Sequence, residues 1–291
     1  MRLRLPPRSQ TGARVWRVEG GRVEERPDQL ATEEPLEIRL LQGERRRTVA
    51  VTMRTPGADA ELAAGFLFAE GVVDGRERIL RVDHLADGAE PGCSNIVEVE
   101  LAADGPVPDL ASLERHFFST SACGVCGKAG LEKLHLRIAE PLPPGPEVSP
   151  EVVRSLPDLL RQAQGLFAVT GGLHAAGLFD PAGALLAARE DVGRHNALDK
   201  LLGWALFAGL LPLRDHLVMV SGRSSYEILQ KCLVAGVPVV CAVSAPSSLA
   251  VELANRFNVT LIGFLRGDRF NVYSGLERLA GAAVQPSLPI L

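Results

Sequence analysis

The chain has few cysteines, only five in 291 residues. A set this sparse and odd in number excludes a disulfide scaffold, and we expect free thiols in a reducing compartment. Cys232 and Cys241 lie in apolar patterns and are predicted to be small buried residues of the core. Cys93 follows a Pro-Gly pair in a predicted turn and indicates no chemistry, so Cys123 and Cys126 are left as the candidate reactive thiols.

A strong net charge and a long apolar run are also missing. A formal net charge of −4 gives no general attraction to nucleic acid or to an anionic membrane, so neither is expected as a partner. The most apolar stretch, residues 201–213, is interrupted by glycines and a proline and is too short to span a bilayer. The basic residues 1–8 lead into no apolar run of the kind that a secretory signal has, so we expect a cytoplasmic protein.

Hydrophobic residues make up 46% of the chain, which is enough for a sizeable core. Residues 150–284 alternate apolar strand patterns with amphipathic helices, which predicts an α/β domain with a mostly parallel sheet and helices on both faces. Residues 31–118 predict a smaller α+β domain, with strands at 36–41, 48–53 and 96–101 and a helix at 58–70. Residues 1–30 are interpreted as an arginine-rich N-terminal extension, and residues 119–149 as a cysteine loop followed by a proline-rich linker.

Three successive strand ends in the α/β domain have residues that favour phosphate. The first two, residues 221–225 and 244–248, are rich in serine and lead into helices, whose N-termini suit anions. The third, residues 264–269, has Arg266 and Arg269 on either side of a glycine, and Arg223 lies in the first. Ligands of open α/β sheets bind at these ends, so we expect a nucleotide or pyrophosphate site there. The alternative is that the serines only cap helices, and neither a P-loop nor a Gly-x-Gly-x-x-Gly pattern is present.

A charged turn at residues 189–196 precedes a strongly apolar helix. Surface charge alone would explain this turn. However, the first turn of that helix is expected to face the same crevice as the serine loops, so His195 is predicted to contact the ligand. His174, at a strand start, is open to two interpretations, as a ligand contact or as a hydrogen-bonded part of the structure.

The pair Cys123 and Cys126 supports three chemistries, which are a dithiol redox couple, half of a zinc site, and a nucleophilic thiolate that carries a group. Zinc is the weakest, because the chain has no second Cys-x-x-Cys and no histidine pair. A redox couple is expected near the front of a thioredoxin-type unit, whereas this pair lies in mid-chain. Gly124 and Gly127 make the segment suited to presenting sulfur to two partners in turn, and nearby Lys128 would favour the thiolate. The spacing alone leaves the choice open.

Five motifs taken together resemble the FdhD family, the sulfur carrier proteins that formate dehydrogenase activity requires. They are Cys-Gly-Val-Cys-Gly-Lys at 123–128, Gly-Gly-Leu-His-Ala-Ala-Gly-Leu-Phe at 171–179, Arg-Glu-Asp-Val-Gly-Arg-His-Asn-Ala-Leu-Asp-Lys at 189–200, Ser-Gly-Arg-Ser-Ser-Tyr-Glu at 221–227, and Ser-Ala-Pro-Ser-Ser-Leu-Ala at 244–250. Five motifs in one order are far more specific than the cysteine pair alone.

The resemblance implies a sulfurtransferase that takes sulfur from a cysteine desulfurase as a cysteine persulfide. It implies delivery of that sulfur to a bound client, the molybdenum bis(molybdopterin guanine dinucleotide) cofactor, before the cofactor is inserted into formate dehydrogenase. The family's cofactor-binding stretch falls on Phe264, Leu265, Arg266, Gly267, Asp268 and Arg269. A homodimer and a cytidine-deaminase-like fold are implied as well.

Within this interpretation we expect Cys123 to carry the persulfide and Cys126 to assist its transfer, because the first cysteine of such pairs is usually the more exposed nucleophile. No permanently bound metal and no deamination are expected, because the zinc signature of deaminases is missing from the sequence. The alternatives are a thiol–disulfide oxidoreductase and a guanine-nucleotide-binding maturation chaperone.

Overall fold

The structure is a computed structural model that describes residue 6 and residues 8–85, 94–103 and 140–281. Cys93, Cys123 and Cys126 lie outside the described residues. No helix in the described ranges is long and apolar enough to cross a membrane.

The chain opens with a β-hairpin where the sequence predicts only an extension. Strands β1 (Gln10–Glu19) and β2 (Arg22–Ala31) pair antiparallel along their whole length. They are joined by Gly20 and Gly21, whose φ angles of 56° and 80° suit the tight turns that match strand twist. Most hairpin side chains are exposed, including Trp16 at 68%.

A four-stranded sheet and one helix follow the hairpin. Its strands are β3 (Glu34–Gln42), β4 (Arg45–Arg54), β5 (Ile79–His84) and β6 (Ile96–Leu101), in the order β4-β3-β6-β5, and helix α1 spans Asp59–Ala69. The β3–β6 pair is parallel and the two other pairs are antiparallel. Alternate residues of β3, namely Leu36, Ile38 and Leu40, are buried, as a half-buried strand requires.

The larger unit is a six-stranded mixed sheet in the order β12-β11-β10-β9-β7-β8. Its strands are β7 (His174–Phe179), β8 (Leu185–Asp191), β9 (Leu217–Val220), β10 (Val239–Ala242), β11 (Thr260–Arg266) and β12 (Arg269–Ser274), and its helices are α2 (Pro150–Ala163), α3 (Gly165–Thr170), α4 (Arg194–Phe207), α5 (Tyr226–Val234) and α6 (Ser248–Arg256). Strands β9, β10 and β11 are parallel neighbours, whereas β7 and β12 run against their neighbours. The α/β class is therefore confirmed, and four of the six strands run in one direction.

Helices cover both faces of this sheet, as predicted. In β9, Val218 and Val220 join the core cluster that contains α4, α5 and α6, whereas Leu217 and Met219 join the cluster that contains α2. A strand that is buried on both faces reads as a continuous apolar run, which is the pattern in the sequence. Cys241, in β10, and the helical residue Cys232 are fully buried, and burial raises the pKa of each thiol to about 12, which confirms them as core residues.

The smaller sheet and the larger sheet share one core through the crossing of α1 and α4. A Cβ added to Gly65 would lie 1.9 Å from the carbonyl oxygen of Asp199, and one added to Gly203 would lie 1.9 Å from that of Glu61. The two helix backbones therefore touch where each has a glycine. The predicted division into domains at residues 118 and 150 stays a prediction.

Candidate functional site

The carboxyl ends of the parallel strands form an edge at which most of the predicted ligand residues meet. Because β7 is antiparallel to β9, its first residue, His174, lies at this edge, and His174 pairs with Asp191 at the end of β8. The ends of β9, β10 and β11 complete the edge. This is the position at which open α/β sheets bind ligands.

The serine side chains of the first two strand ends are largely occupied by structural hydrogen bonds. Ser225 is the N-cap of α5 and accepts from the Ile228 N–H, and Ser247 is the N-cap of α6 and accepts from the Ala250 N–H. The Ser221 hydroxyl accepts from the Ala175 N–H at 2.9 Å. The capping interpretation is thus correct for Ser225 and Ser247, whereas Ser221 binds a neighbouring strand, and the Arg223 side chain is exposed in the first loop.

The first two loops are bound to each other. Ser224 forms a parallel bridge with Pro246, and the Ser247 N–H donates to the Ser224 carbonyl at 3.0 Å. Ser224 is fully buried and its hydroxyl has no hydrogen-bond partner within the described residues. Buried polar groups are normally paired, so this hydroxyl is an exception within the part of the chain that the structure describes.

The third strand end has an unusual backbone. Phe264 has a φ of 52°, in the left-handed region that non-glycine residues rarely adopt, and its side chain is 42% exposed. Its N–H donates to the Ser244 carbonyl at 3.2 Å, which fixes the strand end against the second loop. Strained backbone of this kind clusters at binding sites.

Beyond Phe264, two arginines flank a tight turn. Arg266 and Arg269 pair across Gly267 and Asp268, and Gly267 has a φ of 55°. The Arg266 Nε donates to the Val243 carbonyl at 3.3 Å, so its guanidinium lies over the end of β10. Leu265 is buried in the core under α2, so only its backbone is available to a ligand.

The segment 189–200 fastens the larger sheet to the smaller unit. Arg189 pairs with Glu61 of α1 (Nη2–Oε1, 2.7 Å), and the Glu190 carboxylate accepts from the Leu166 and Phe167 N–H groups at the start of α3. Desolvation raises the pKa of Glu190, although these two hydrogen bonds oppose the shift. The charges of Arg189 and Glu190 therefore make structural contacts with α1 and α3 and do not simply face solvent.

Asp191 is the centre of that attachment. Its fully buried carboxylate accepts from the Thr55 N–H at 3.1 Å, the Gly193 N–H at 2.8 Å and the Asn196 side chain at 3.2 Å, and it pairs with Lys200 at 2.7 Å. Lys200 also donates to the Thr55 carbonyl at 2.8 Å. These contacts fix the start of α4 relative to β4. Neither Asp191 nor Lys200 was expected to have this role, because their partners are distant in the chain.

His195 and His174 are brought together at the start of α4. The His195 Nε2 lies 2.9 Å from Glu227 Oε2 and 3.5 Å from Ser225 Oγ, and hydrogen bonding to His195 is the main cause of a lowered Glu227 pKa. Burial lowers the pKa of His174, and the charges of Arg194 and His195 lower it further. His195 therefore lies next to the first serine loop, where Glu227 holds its ring. The sequence motif at 221–227 did not reveal this contact of Glu227.

Among the described residues, no group of three or more His, Cys, Asp or Glu side chains is placed so that it could hold a metal ion.

The comparisons with known proteins agree with one another. Residues 31–280 match the FdhD/NarQ family. A sulfur carrier protein FdhD from Streptomyces avermitilis is 49% identical over 271 residues, which cover 92% of this chain and 94% of that protein. The protein of the same name from Mycobacterium tuberculosis is 49% identical over 272 residues, with 91% and 97% covered. A crystal structure described as a formate dehydrogenase accessory protein from Desulfotalea psychrophila has a TM-score of 0.69 at 24% identity, covers 93% of this chain and 99% of its own, and supports the fold.

Proposed function

The chain belongs to the FdhD/NarQ family, and from this membership we propose that it is a sulfurtransferase that carries sulfur as a cysteine persulfide to a molybdenum cofactor. The observation that carries the proposal is the likeness, over nine tenths of the chain, to proteins named sulfur carrier protein. The name of the structural neighbour links this role to formate dehydrogenase. A cysteine desulfurase as sulfur donor and formate dehydrogenase as recipient are the partners that the proposal needs, and a homodimer in the cytoplasm is the expected form.

The chemistry requires two thiols in turn. The Cys123 thiolate attacks the outer sulfur of the desulfurase persulfide, a sulfur–sulfur bond forms on Cys123, and the desulfurase cysteine leaves as a thiolate. The Cys126 thiolate then attacks the inner sulfur of the persulfide, a Cys123–Cys126 disulfide forms, and the outer sulfur leaves as hydrosulfide for the metal. The dithiol supplies both electrons, so the pair must be reduced again before the next cycle.

Mass spectrometry tests which thiol carries sulfur. After incubation with desulfurase and cysteine, the protein should gain the mass of one sulfur, and Cys123→Ala should remove that gain while Cys232→Ala, the buried control, retains it. An unchanged adduct in Cys123→Ala contradicts the assignment. Reduction of insulin with repeated dithiol turnover would instead support a thiol–disulfide oxidoreductase, and full dehydrogenase maturation by a Cys123→Ala/Cys126→Ala variant would support a chaperone.

The client cofactor contains guanine nucleotides with diphosphates, and we propose the edge of the larger sheet as its site. The exposed ring of Phe264 can stack on a base, and Arg266 and Arg269 can donate to phosphate oxygens. Binding of GDP measured by calorimetry should weaken about tenfold in Arg266→Ala and in Arg269→Ala, as expected for the loss of a charge-assisted hydrogen bond. Arg256→Ala, at the opposite end of α6, removes the same charge and should bind GDP as the wild type does. Equal affinity in all four proteins would refute this site.

A further inference from the structure

Arg194 differs from the other ionisable residues of the segment 189–200. The others all have partners, which are Glu61 for Arg189, the α3 N–H groups for Glu190, Lys200 for Asp191, Glu227 for His195 and Lys231 for Asp199. Arg194 forms no salt bridge among the described residues, although its charge helps to lower the pKa of Glu227, and its buried Nε has no hydrogen-bond acceptor there. A buried guanidinium N–H without an acceptor costs free energy, so this N–H calls for an acceptor beyond the described residues, which an anionic ligand would supply.

Gly222 marks the place where that acceptor would lie. A Cβ added to Gly222 would be 3.4 Å from His174 Nδ1 and 3.8 Å from Arg194 Cδ, so these two side chains both lie against the Gly222 α-carbon. His195 is near enough for its charge to act on His174. Arg194 and His174 therefore meet beside a residue that has no side chain, and His195 lies on the same helix turn as Arg194.

The start of α4 has no side-chain cap of the usual kind, although the Asp191 carboxylate accepts from the Gly193 N–H just before it. Gly193 is its N-cap, no side chain caps it, and its first turn has no acidic residue. Arg194 places a positive charge at the positive end of the helix dipole, where Asp191 and Glu227 are the nearby carboxylates of the described residues. The unpaired and fully buried hydroxyl of Ser224 lies only two residues from Gly222. The buried Arg194 Nε beside Gly222 is the observation that indicates an anionic ligand at this place.

We propose that Arg194, His174 and His195 bind a phosphate group beside Gly222. Glu227 lies 2.9 Å from the His195 Nε2, so Arg194, which is permanently charged, supplies the positive charge that attracts the anion. This inference rests on the proposed guanine dinucleotide function and assigns a diphosphate to a place distinct from residues 264–269. Strands β9 and β11 are two positions apart in the sheet, which is about 10 Å. A nucleotide lying across the strand ends would therefore meet both groups.

Calorimetry with inorganic pyrophosphate, GDP and guanosine tests the proposal on the full chain. Arg194→Gln should lower the affinity for pyrophosphate and for GDP about tenfold or more, because a charge-assisted hydrogen bond is lost. Its affinity for guanosine should equal that of the wild type. Arg256→Gln, at the C-terminal end of α6, controls for the loss of one positive charge and should behave as the wild type.

Gly222→Ala is a second variant that retains every charge. Its methyl group would make only ordinary contacts, so the protein should fold, but the methyl would occupy the space beside Arg194 and lower pyrophosphate affinity. Equal pyrophosphate affinity in the wild type and Arg194→Gln overturns the inference, as does a wild type that binds no pyrophosphate. If GDP binds and is insensitive to Arg194→Gln, the proposed function stands and only the inference falls. If Arg194→Gln lowers pyrophosphate affinity but the wild type binds GDP and guanosine no more tightly than pyrophosphate, the phosphate site is supported and the guanine site is refuted.

Discussion

Replacing Gly203 by alanine should force α1 and α4 apart. The new Cβ would lie 1.9 Å from the Glu61 carbonyl oxygen and 2.6 Å from its carbon, and these are backbone atoms that cannot rotate away. Real Cβ atoms essentially never come within 3.0 Å of another heavy atom, so the helices must separate by about 1 Å. A gap of this size forfeits a quarter to a half of the dispersion energy between facing side chains. Leu62 and Leu202, both buried in the shared core, would lose contacts in this way.

The expected loss of stability follows from two opposing effects. Overpacking a core typically costs about 1–3 kcal/mol, and a collision with backbone on both sides belongs at the upper end of that range. Alanine regains about 1 kcal/mol over glycine in helix propensity. We therefore expect Gly203→Ala to lower the free energy of unfolding by about 2 kcal/mol, and Gly65→Ala, which meets the Asp199 carbonyl at the same crossing, to do the same.

Urea denaturation followed by circular dichroism measures these changes. Gly12→Ala is the control, because its Cβ in the exposed hairpin would meet only the Gln29 side chain, at 3.7 Å, and its effect should stay within about 0.5 kcal/mol. The double variant Gly65→Ala/Gly203→Ala should cost less than the sum of the single variants, because one separation of the helices relieves both collisions. A Gly203→Ala protein as stable as the wild type would show that the two helices do not touch as described.

Three further predictions concern buried groups. Asp191→Asn leaves Lys200 buried without a counter-charge and should lower the free energy of unfolding, measured with urea, by about 3–5 kcal/mol. The double variant Asp191→Asn/Lys200→Met should recover part of that loss, and no recovery would contradict the pairing. The pKa of His174 is lowered in the folded protein, so the unfolded chain binds more protons just below pH 6.5 and the free energy of unfolding should fall as the pH falls through this range. This fall should be smaller in His174→Gln, and equal pH slopes in the two proteins would place His174 in solvent. Iodoacetamide at pH 8 should leave Cys232 and Cys241 unlabelled until urea unfolds the protein. Peptide mapping that finds either cysteine labelled in the native protein would contradict this prediction.

The regular elements of the larger sheet were predictable from the sequence. The alternation predicted for residues 150–284 agrees with the strand Leu217–Val220 and the helix Arg194–Phe207, because apolar runs bounded by serine and glycine mark such elements. The hairpin of β1 and β2 was missed because both of its faces are exposed, so no alternation of apolar and polar residues distinguishes it. The pair Gly20-Gly21 was the available signal for its turn.

The site was predictable only in so far as it depends on topology. The carboxyl ends of neighbouring strands meet wherever a parallel sheet forms, so the meeting of His195 with the serine loop follows from the element order. The partners of Asp191 do not follow, because Thr55 lies 136 residues away and only the packed fold brings its N–H to the carboxylate. Long-range pairing of this kind has no local pattern in a sequence.

The attachment of the smaller unit therefore bears on the proposed phosphate site. Asp191 holds Thr55 at one end and Gly193, the N-cap of α4, at the other, so a shift of β4 relative to β8 would move the turn from which Arg194 extends. An arginine donates effectively to a phosphate only when its geometry is right, so a small displacement would weaken binding before it unfolded the protein. Gly203→Ala should accordingly lower pyrophosphate affinity at temperatures where the variant is still folded. If this variant lost stability but bound pyrophosphate with the affinity of the wild type, the packing of α1 on α4 would stabilise the fold without positioning Arg194.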